Sequence, residues 1–362
     1  MPDAPSRSRR SPAKRSTRRP RAALQAVTLD DVAAAAGVSR MTVSRVLRGG
    51  FSVSAKLQDR VQKAVRDLDY RLNTAARALA GSGPSRLGFV YSNPSQAYLS
   101  ELLAGALAEA NILGLQLTLT ADASTTDVTS EIKALLKSGV RLLFLPSPAC
   151  DNEEVLRLLQ RADAQWVAIS PSNPEAHRWS VSADHYEIAR EMTRRLIALK
   201  HRCIGFIAGP PNSKGGAERL RGHLDAASEA RLASCPVEQG WHTFQSGLDA
   251  TERLLTHSPA CTAIVASNDD MAAAAIFVAH RHGLKVPHDL TIVGFDDTPI
   301  ASIIYPTLTT AKQPIADMAR AAIQLLHAAS VGGIRGGHSI QKVLRYSIIE
   351  RQSSAPCSGS PE

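Results

Sequence analysis

Two hydrophobic patterns divide the chain. From Thr28 to about Tyr70, apolar residues recur at the three- and four-residue spacing of amphipathic helices. After Gly81, short apolar runs alternate with helical stretches, a pattern typical of parallel sheets joined by βαβ crossovers. Seven strands are predicted, at 87–91, 115–120, 142–145, 166–169, 204–208, 263–266 and 290–295. So many strands in about 260 residues favour two doubly wound lobes over one.

The helical segment contains start and stop signals for three short helices. Thr28 begins a capping-box sequence, and Gly37 then interrupts the first apolar run. Ser39 can cap a second helix, which ends at Gly49-Gly50, and Ser54 can cap a third. The pattern therefore predicts a small all-α unit whose first two helices are joined by a tight glycine-containing turn.

Charge is concentrated at one end of the chain. The 362 residues carry a formal net charge of +9. Residues 1–25 hold eight Lys/Arg against one acidic residue (+7), residues 26–83 hold nine against five (+4), and the remainder is −2. A basic end on a nearly neutral body suggests a polyanion-binding module. Residues 1–25, rich in Arg, Ser and Pro, are predicted to be a disordered basic arm.

Several classes of protein are disfavoured by composition. No apolar stretch approaches the length of a membrane span, and no apolar segment follows the N-terminal arginines as in a secretory signal. The five cysteines are scattered and odd in number, which argues against a disulfide framework and a cysteine metal site. We therefore expect a cytoplasmic protein without membrane association; a transit peptide is the alternative interpretation of the arm.

The predicted second helix leaves polar residues on its outer face. Small Ala33 lets two helices approach closely, Gly37 makes the turn, and Val43 locks the pair. The outer face then carries Ser39, Arg40, Met41, Thr42, Ser44 and Arg45. Hydroxyl groups at a helix N-terminus can hold phosphates, and arginine can reach the edges of guanines. This favours a DNA-binding helix-turn-helix; a small helical bundle with solvated charges is the alternative.

The segment 28–81 resembles the DNA-binding headpiece of the LacI/GalR family of bacterial transcriptional regulators. The resemblance rests on Thr-Leu-Asp-Asp-Val-Ala at 28–33, Ala-Gly-Val-Ser at 36–39, Thr-Val-Ser-Arg-Val-Leu at 42–47, Val-Ser at 53–54, Tyr70, Asn73 and Ala-Leu-Ala-Gly at 78–81. It implies that DNA is contacted by Thr28, Leu29, Ser39, Arg40, Met41, Thr42, Ser44, Arg45, Ser54, Asn73, Leu79 and Ala80.

The resemblance also implies a hinge after the helical unit. In the family, the residue matching Asn73 begins a hinge helix in the minor groove, and the leucine matching Leu79 wedges into a base step. Such a short helix is expected to form only on DNA. This chain has Leu72 where the family usually has proline, which leaves the hinge geometry open.

The body resembles the family as far as about Arg351, and this implies the two-lobed fold of periplasmic sugar-binding proteins. The matching pieces include Ala-Gly-Pro at 208–210, Asn-Asp at 268–269, Val-Gly-Phe-Asp-Asp at 293–297 and Leu-Thr-Thr at 308–310. Asn268 and Asp296 each follow a predicted strand, where open α/β sheets bind ligands.

The side chains proposed for the ligand site suit a sugar. The Asp296 carboxylate can accept hydrogen bonds from two hydroxyls, and the planar Arg219 guanidinium can only donate them. The Asn268 amide can both donate and accept hydrogen bonds. Trp241 offers a flat apolar face to a pyranose ring, and its position matches an aromatic residue of sugar-responsive members. Weaker candidates from the other lobe, or from near the cleft, are Ser92, Ser170, Asp184, Tyr98, Asn93 and Gln96. The alternatives are a structural Asp296–Arg219 ion pair and a core Trp241.

No catalytic set or metal site is predicted. Five histidines lack metal-ligand spacing and are interpreted as solvated or capping residues: His177, His185, His201, His223 and His242. The predicted domains are a helix-turn-helix over 28–72, a hinge over 73–83, a two-lobed ligand-binding and dimerisation domain over 84–351, and a disordered tail over 352–362.

The favoured function is a homodimeric, ligand-responsive transcriptional regulator, most often a repressor in this family. It would bind a near-palindromic double-stranded operator, respond to a small molecule and need no cofactor; a carbohydrate is favoured, with a nucleobase or another small metabolite as the alternative. The competing hypothesis is a cytoplasmic solute-binding or enzymatic α/β protein with an incidental basic arm.

Overall fold

The computed structural model describes residues 27–47, 55–68, 86–91, 93–121, 127–232, 235–258, 261–332 and 339–358. The chain divides into two compact units, 1–71 and 72–362.

The smaller unit contains three helices: α1 (Leu29–Ala36), α2 (Arg40–Leu47) and α3 (Ala55–Asp67). The predicted capping box at the start of α1 is present, because Thr28 and Asp31 each bind the other's backbone N–H. Gly37 ends α1 with φ of 61°, a left-handed conformation that glycine adopts without strain. The buried core consists of Val32, Ala33, Ala36, Val43, Val46, Val61 and Ala64.

The third helix fixes the turn between the first two. Arg60 donates from Nη2 to the carbonyl oxygen of Ala36 at 2.6 Å, which satisfies a carbonyl at the end of α1. A Cβ added at Gly37 would lie 2.8 Å from that same Nη2. The turn therefore needs glycine both for its backbone angle and for the approach of Arg60.

The larger unit is built on two six-stranded sheets. The first lobe has the order β11-β5-β4-β3-β1-β2, all parallel. Its strands are β1 (Arg86–Tyr91), β2 (Gln116–Ala121), β3 (Leu142–Pro146), β4 (Gln165–Ile169), β5 (Trp179–Ala183) and β11 (Ile340–Leu344). The second has the order β12-β10-β9-β8-β6-β7, in which only β12 is antiparallel to its neighbour. Its strands are β6 (Ile204–Ala208), β7 (Val237–Gln239), β8 (Ala263–Ala266), β9 (Thr291–Asp296), β10 (Thr309–Lys312) and β12 (Ser347–Ile349).

Helices cover both sheets, as crossover connections require. They are α4 (Gln96–Leu113), α5 (Val128–Lys137), α6 (Glu153–Arg161), α7 (His185–Ala198), α8 (Lys214–Glu229), α9 (Phe244–His257), α10 (Asp269–Arg281), α11 (Ile300–Ile303) and α12 (Ile315–Ser330). Short 3₁₀ helices occupy Ala149–Asp151 and Pro174–Ala176. The chain passes between the lobes three times, at β5–α7, β10–α12 and β11–β12.

The two-lobed architecture was predicted, but five strands were not. These are β5, β7, β10, β11 and β12, which are short or lack a continuous apolar run.

The expectation of a disordered tail from residue 352 is wrong as far as residue 358. Ser353 is fully buried, its hydroxyl donates to the Ile292 carbonyl at 2.6 Å, and the Thr309 N–H donates to it at 2.8 Å. Cys357 continues the contact by donating its N–H to the Leu199 carbonyl. The tail satisfies backbone groups at the edge of the second lobe, which composition alone does not reveal.

In the part of the chain that the structure describes, no helix is long and apolar enough to cross a membrane.

Candidate functional site

The outer face of α2 presents the predicted polar residues. Ser39, Arg40 and Met41 are exposed, and the Met41 side chain is 72% accessible. Thr42 and Ser44 are half-buried, whereas Val43 and Val46 point into the core. Met41 lies at the start of a short polar helix and is not part of the hydrophobic cluster that the described residues of its unit form. This face is therefore available to an external surface.

Local hydrogen bonds set the start of α2. The Thr42 N–H donates to Ser39 Oγ at 3.2 Å, and the two hydroxyls are 2.9 Å apart. Arg40 lies 3.5 Å from Asp30 with both side chains largely exposed, so the pair is weak and exchangeable. Thr28 is occupied as the cap of α1, and Leu29 packs against the core. Thr28 and Leu29 would therefore have to contact DNA through their backbone groups or through the exposed parts of their side chains.

Several predicted contact residues lie outside the described residues: Ser54, Asn73, Leu79 and Ala80 of the headpiece and hinge, and Ser92 of the body. The Arg45 side chain also lies outside them, although its backbone belongs to α2.

In the larger unit, a cavity of about 40 Å³ lies where the strand ends of the two lobes face each other. Its lining comes from both lobes: Asn93, Ser95, Tyr98, Pro146, Ser147, Ile169, Ser170, His185, Ser213, Gly215, Arg219, His242, Asn268 and Asp296. Four of the six predicted effector residues meet here, namely Ser170, Arg219, Asn268 and Asp296. Tyr98 and Asn93 also line it, whereas Gln96 does not.

Arg219 and Asp296 form a buried ion pair at the cavity wall. Both residues are 5% exposed, and Arg219 Nη2 lies 3.5 Å from Asp296 Oδ1. Arg219 also donates to the Ser267 carbonyl and stacks over the Phe295 ring at 4.9 Å. Gln313 donates to the same Asp296 oxygen. Burial raises the pKa of Asp296 to about 6, although the Arg219 charge opposes the rise.

The backbone at Asp296 adopts an unusual conformation. Its φ is 108°, and that of Asp297 is 57°, a region that non-glycine residues seldom occupy. Asp297 is held from two sides, by Arg351 Nη2 at 2.6 Å and by Lys312 Nζ at 3.0 Å. Strain at two successive residues that surrounding contacts must maintain is typical of ligand sites.

The neighbouring polar residues are mainly structural. Asn268 accepts the Met271 N–H through Oδ1 at 3.0 Å, and its Nδ2 donates to the His242 carbonyl at 3.1 Å. Buried Asp269 accepts from the Thr298 N–H and hydroxyl and from the Thr310 hydroxyl. Burial, reinforced by the charge of Asp296, raises the pKa of Asp269 well above its ordinary value. Asn268 thus forms part of the cavity wall, while its side-chain amide is already hydrogen-bonded to other protein groups.

The interpretation of the histidines as solvated or capping residues is wrong. All five are buried, and His185 and His242 line the cavity. Burial lowers the pKa of both imidazoles, and the Arg219 charge lowers both further. They are therefore neutral at pH 7. Nothing in the local sequence distinguishes a buried histidine from a surface one. The positions of His185 and His242 in the cavity lining could therefore not be predicted.

His185 connects the two lobes. It begins α7 in the second lobe, and its Nε2 lies 3.2 Å from the Oγ of Ser170, which follows β4 in the first lobe. Its Nδ1 lies 3.4 Å from Arg219 Nη2. Because a guanidinium only donates, Nδ1 accepts and Nε2 carries the hydrogen that is directed to Ser170.

Two residues that were predicted at or near the ligand site, Trp241 and Asp184, do not line the cavity. Trp241 is 52% exposed and does not line the cavity; its neighbour His242 does. Asp184 caps α7 by accepting the Glu187 N–H at 2.9 Å. Among the described residues, no group of three His, Cys, Asp or Glu side chains is placed to hold a metal ion.

Two family models match the chain. Residues 28–73 match "Bacterial regulatory proteins, lacI family", and residues 193–354 match "Periplasmic binding protein-like domain". Among curated relatives, the transcriptional regulator GalS of Salmonella typhimurium is 33% identical over 91% of this chain and 98% of its own length. The regulator AscG of Escherichia coli is 33% identical over 80% of this chain and 88% of its own.

Solved structures agree with these matches. A transcriptional regulator CelR–cellobiose complex superposes with a TM-score of 0.69, at 29% identity over 90% of this chain and 99% of that one. A lac repressor dimer bound to operator and an anti-inducer has a TM-score of 0.68, at 27% identity over 91% of this chain and 100% of that one. The fold and both sites thus define a DNA-binding regulator with a ligand-binding body. The chain belongs to the lacI family of bacterial regulatory proteins, whose matched members are transcriptional regulators and not enzymes.

Proposed function

We propose that this protein is a transcriptional repressor whose operator affinity is set by a carbohydrate bound between the two lobes. One observation carries the proposal: a helix with an exposed polar face and a separate body with a cavity lined from both lobes occur in the same chain. The protein would act on chromosomal DNA in the bacterial cytoplasm. A solute-binding protein or an enzyme would have no use for the exposed polar face.

On DNA, α2 would enter the major groove. Arg40 would give up its exposed ion pair with Asp30 and bind the edge of a guanine instead. Met41 beside it would make apolar contact with a base. The hydroxyls of Ser39, Thr42 and Ser44 are suited to phosphates. The contacts of Arg45, Ser54, Asn73, Leu79 and Ala80 remain predictions, as does phosphate binding by the arm at residues 1–25.

Exposed apolar residues of the second lobe support a homodimer. Phe244 and Phe277 are 41% and 52% exposed, with ring centroids 6.4 Å apart. Ile303 and Tyr305 are about four-fifths exposed. Exposed large apolar side chains favour association with another protein surface, and a lac repressor of this family is a dimer on its operator. Two-fold symmetry of the protein would then impose a near-palindromic operator.

The cavity chemistry suits a neutral polyol. Arg219 and Asp296 neutralise each other, and both histidines are uncharged, so the wall offers directed donors and acceptors without a dominant charge. A cavity of about 40 Å³ holds about three waters. A sugar would therefore have to part the lobes and break the link between His185 and Ser170. Binding would thereby change how the lobes are arranged.

The DNA function is tested by selecting a randomised duplex library with purified full-length protein. The expected result is an enriched, near-palindromic sequence whose binding weakens steeply with salt. Arg40→Ala should lose about 1–3 kcal/mol on that sequence, whereas Arg157→Ala, which removes an exposed arginine paired with Glu153 in the body, should leave binding unchanged. Failure to enrich any symmetric sequence would overturn the repressor proposal.

The ligand is tested by thermal unfolding with glucose, galactose, lactose and cellobiose. At least one sugar should raise the melting temperature, and Arg219→Met should abolish that rise. Arg320→Ala, an exposed arginine paired with Asp317, is the matched control. If all four sugars leave both proteins unaffected while an operator is selected, the carbohydrate assignment is wrong and the DNA function stands.

A further inference from the structure

Three of the five cysteines converge at one edge of the second lobe, although they are far apart in sequence. Cys203 directly precedes β6, Cys235 lies just before β7, and Cys261 lies just before β8. In the sheet, β6 is flanked by β7 and β8. The cysteines therefore gather at the start of parallel strands, whereas the cavity lies at the opposite ends. Neither the DNA-binding face nor the cavity uses them.

The strand register places Cys203 opposite Thr262 and therefore diagonally next to Cys261. Ile204 pairs with Ala263, and the Thr262 N–H donates to the Cys203 carbonyl at 3.1 Å. Strand spacing then puts the Cα atoms of Cys203 and Cys261 about 6 Å apart, the separation common in disulfides. Cys261 belongs to a buried apolar cluster against which Cys203 packs, and, besides burial, the nearby Cys203 thiol contributes to the raised pKa of Cys261.

The sulfur of Cys261 lies directly over strand β6. The Gly205 N–H donates to Cys261 Sγ at 3.1 Å, and a Cβ on Gly205 would lie 3.1 Å from that sulfur. The thiol of Cys261 donates to the Ala263 carbonyl. Because Gly205 has no side chain, Cys261 Sγ can lie over β6 and reach the thiol two residues earlier.

We propose that Cys203 and Cys261 form an oxidisable dithiol that a hydroperoxide converts to a disulfide. As the Cys203 thiol gives up its proton, its half-buried sulfur attacks one peroxide oxygen; the O–O bond breaks, a sulfenic acid forms, and the leaving hydroxide takes that proton and departs as water. The Cys261 sulfur then attacks the Cys203 sulfur, the S–O bond breaks, and a second water leaves with the Cys261 proton. Two thiols are oxidised by two electrons, and one hydrogen peroxide becomes two waters.

The roles of the cysteines follow from their burial. Cys261 is 6% exposed, and burial raises its pKa to about 12, so it stays protonated and acts second. Burial also raises the pKa of Cys235, which lies near Cys203 on the other side. Since thiols in the cytoplasm are normally kept reduced, this disulfide would report oxidative challenge and be reversed by thiol reductants.

The experiment treats reduced full-length protein with hydrogen peroxide, alkylates the remaining thiols and maps peptides by mass spectrometry. Two of the five thiols should disappear, with one cross-linked peptide joining Cys203 to Cys261 that dithiothreitol reverses. Cys261→Ser should instead leave a Cys203 sulfenic acid that dimedone traps, and Cys261→Ala gives the same test without a buried hydroxyl. Cys150→Ser, in the other lobe, is the control that should still form the disulfide.

Two results would overturn the proposal. One is retention of all five free thiols in folded protein at peroxide levels that oxidise free cysteine. The other is a disulfide that joins Cys203 to Cys235 and leaves Cys261 free. Because neither measurement uses DNA or a sugar, their outcome is independent of the proposed function.

Discussion

Asp296 is predicted to destabilise the native protein at neutral pH. Its carboxylate is buried, and its pKa rises from 3.8 to about 6 even with Arg219 beside it. Replacing it by Asn keeps the shape and removes the charge. Asp296→Asn should therefore unfold at higher denaturant concentration than the native protein, an unusual outcome for a buried polar substitution.

The magnitude follows from the pKa change. A carboxyl whose pKa rises from 3.8 to about 6 on folding costs about 3 kcal/mol of stability once it is ionised. Because the folded pKa is the higher one, the cost is complete above about pH 6. It is relieved as the pH falls, and it vanishes below the unfolded value of 3.8. The stabilisation by Asp296→Asn should thus be about 3 kcal/mol at pH 7.5 and near zero at pH 3.5.

The assay is urea unfolding of the native protein and Asp296→Asn between pH 3.5 and 7.5. Other titrating groups are shared, so the difference between the two free energies isolates Asp296 and its coupling to Asp269. Asp297→Asn is the matched control of opposite sign, since it weakens the contacts to Arg351 and Lys312 and should destabilise. An Asp296→Asn protein that is less stable than the wild-type protein at pH 7.5, or a stability difference that does not change with pH, would show that the Asp296 charge does not destabilise the fold.

Two substitutions test the packing and capping of the fold. Gly105→Ala would place a Cβ 2.2 Å from the backbone oxygen of Ala316, where α4 meets α12, and should cost about 1–3 kcal/mol of unfolding free energy. Gly216→Ala, whose nearest neighbour would be at 3.4 Å, should cost less than half as much in the same urea titration. Thr28→Ala removes the capping box of α1 and should cost the headpiece about 1 kcal/mol. Faster amide exchange throughout α1 would report that loss, whereas Thr256→Ala in α9 should leave α1 unchanged.

Prediction from sequence succeeded where local chemistry determines structure. The Thr28 cap and the Gly37 turn are local signals, and both occur as expected. Asn268 and Asp296 were predicted to lie in the cleft because each follows a strong apolar strand and parallel strands bring their carboxyl ends together, and both line the cavity. The burial of polar residues by distant parts of the chain was not predictable. His185 acquires its role only when Ser170 and Arg219 converge on it.

Trp241 lies outside the cavity, although the sequence predicted it at the ligand site. An aromatic residue near a predicted cleft suggested a stacking surface, yet folding directs His242 into the cavity and leaves Trp241 half-exposed.

The C-terminal tail shows how composition can mislead. A Ser/Pro-rich end reads as disordered, but Ser353 is buried because its hydroxyl pairs with backbone groups of β9 and of Thr309. Such pairing depends on which edge the chain reaches, information that a local window does not contain.

The three passages between the lobes determine when each lobe can be completed during synthesis. The sheet of the first lobe needs β11 at Ile340–Leu344 as its edge strand beside β5, and α12 packs against α4. Nearly the whole chain must therefore leave the ribosome before the first lobe closes, even though five of its six strands precede residue 184. Neither lobe is a continuous stretch of polypeptide. A nascent chain must keep the apolar faces of its first sheet from aggregating while the second lobe is still being made, so we expect this regulator to rely on chaperones far more than its small headpiece does.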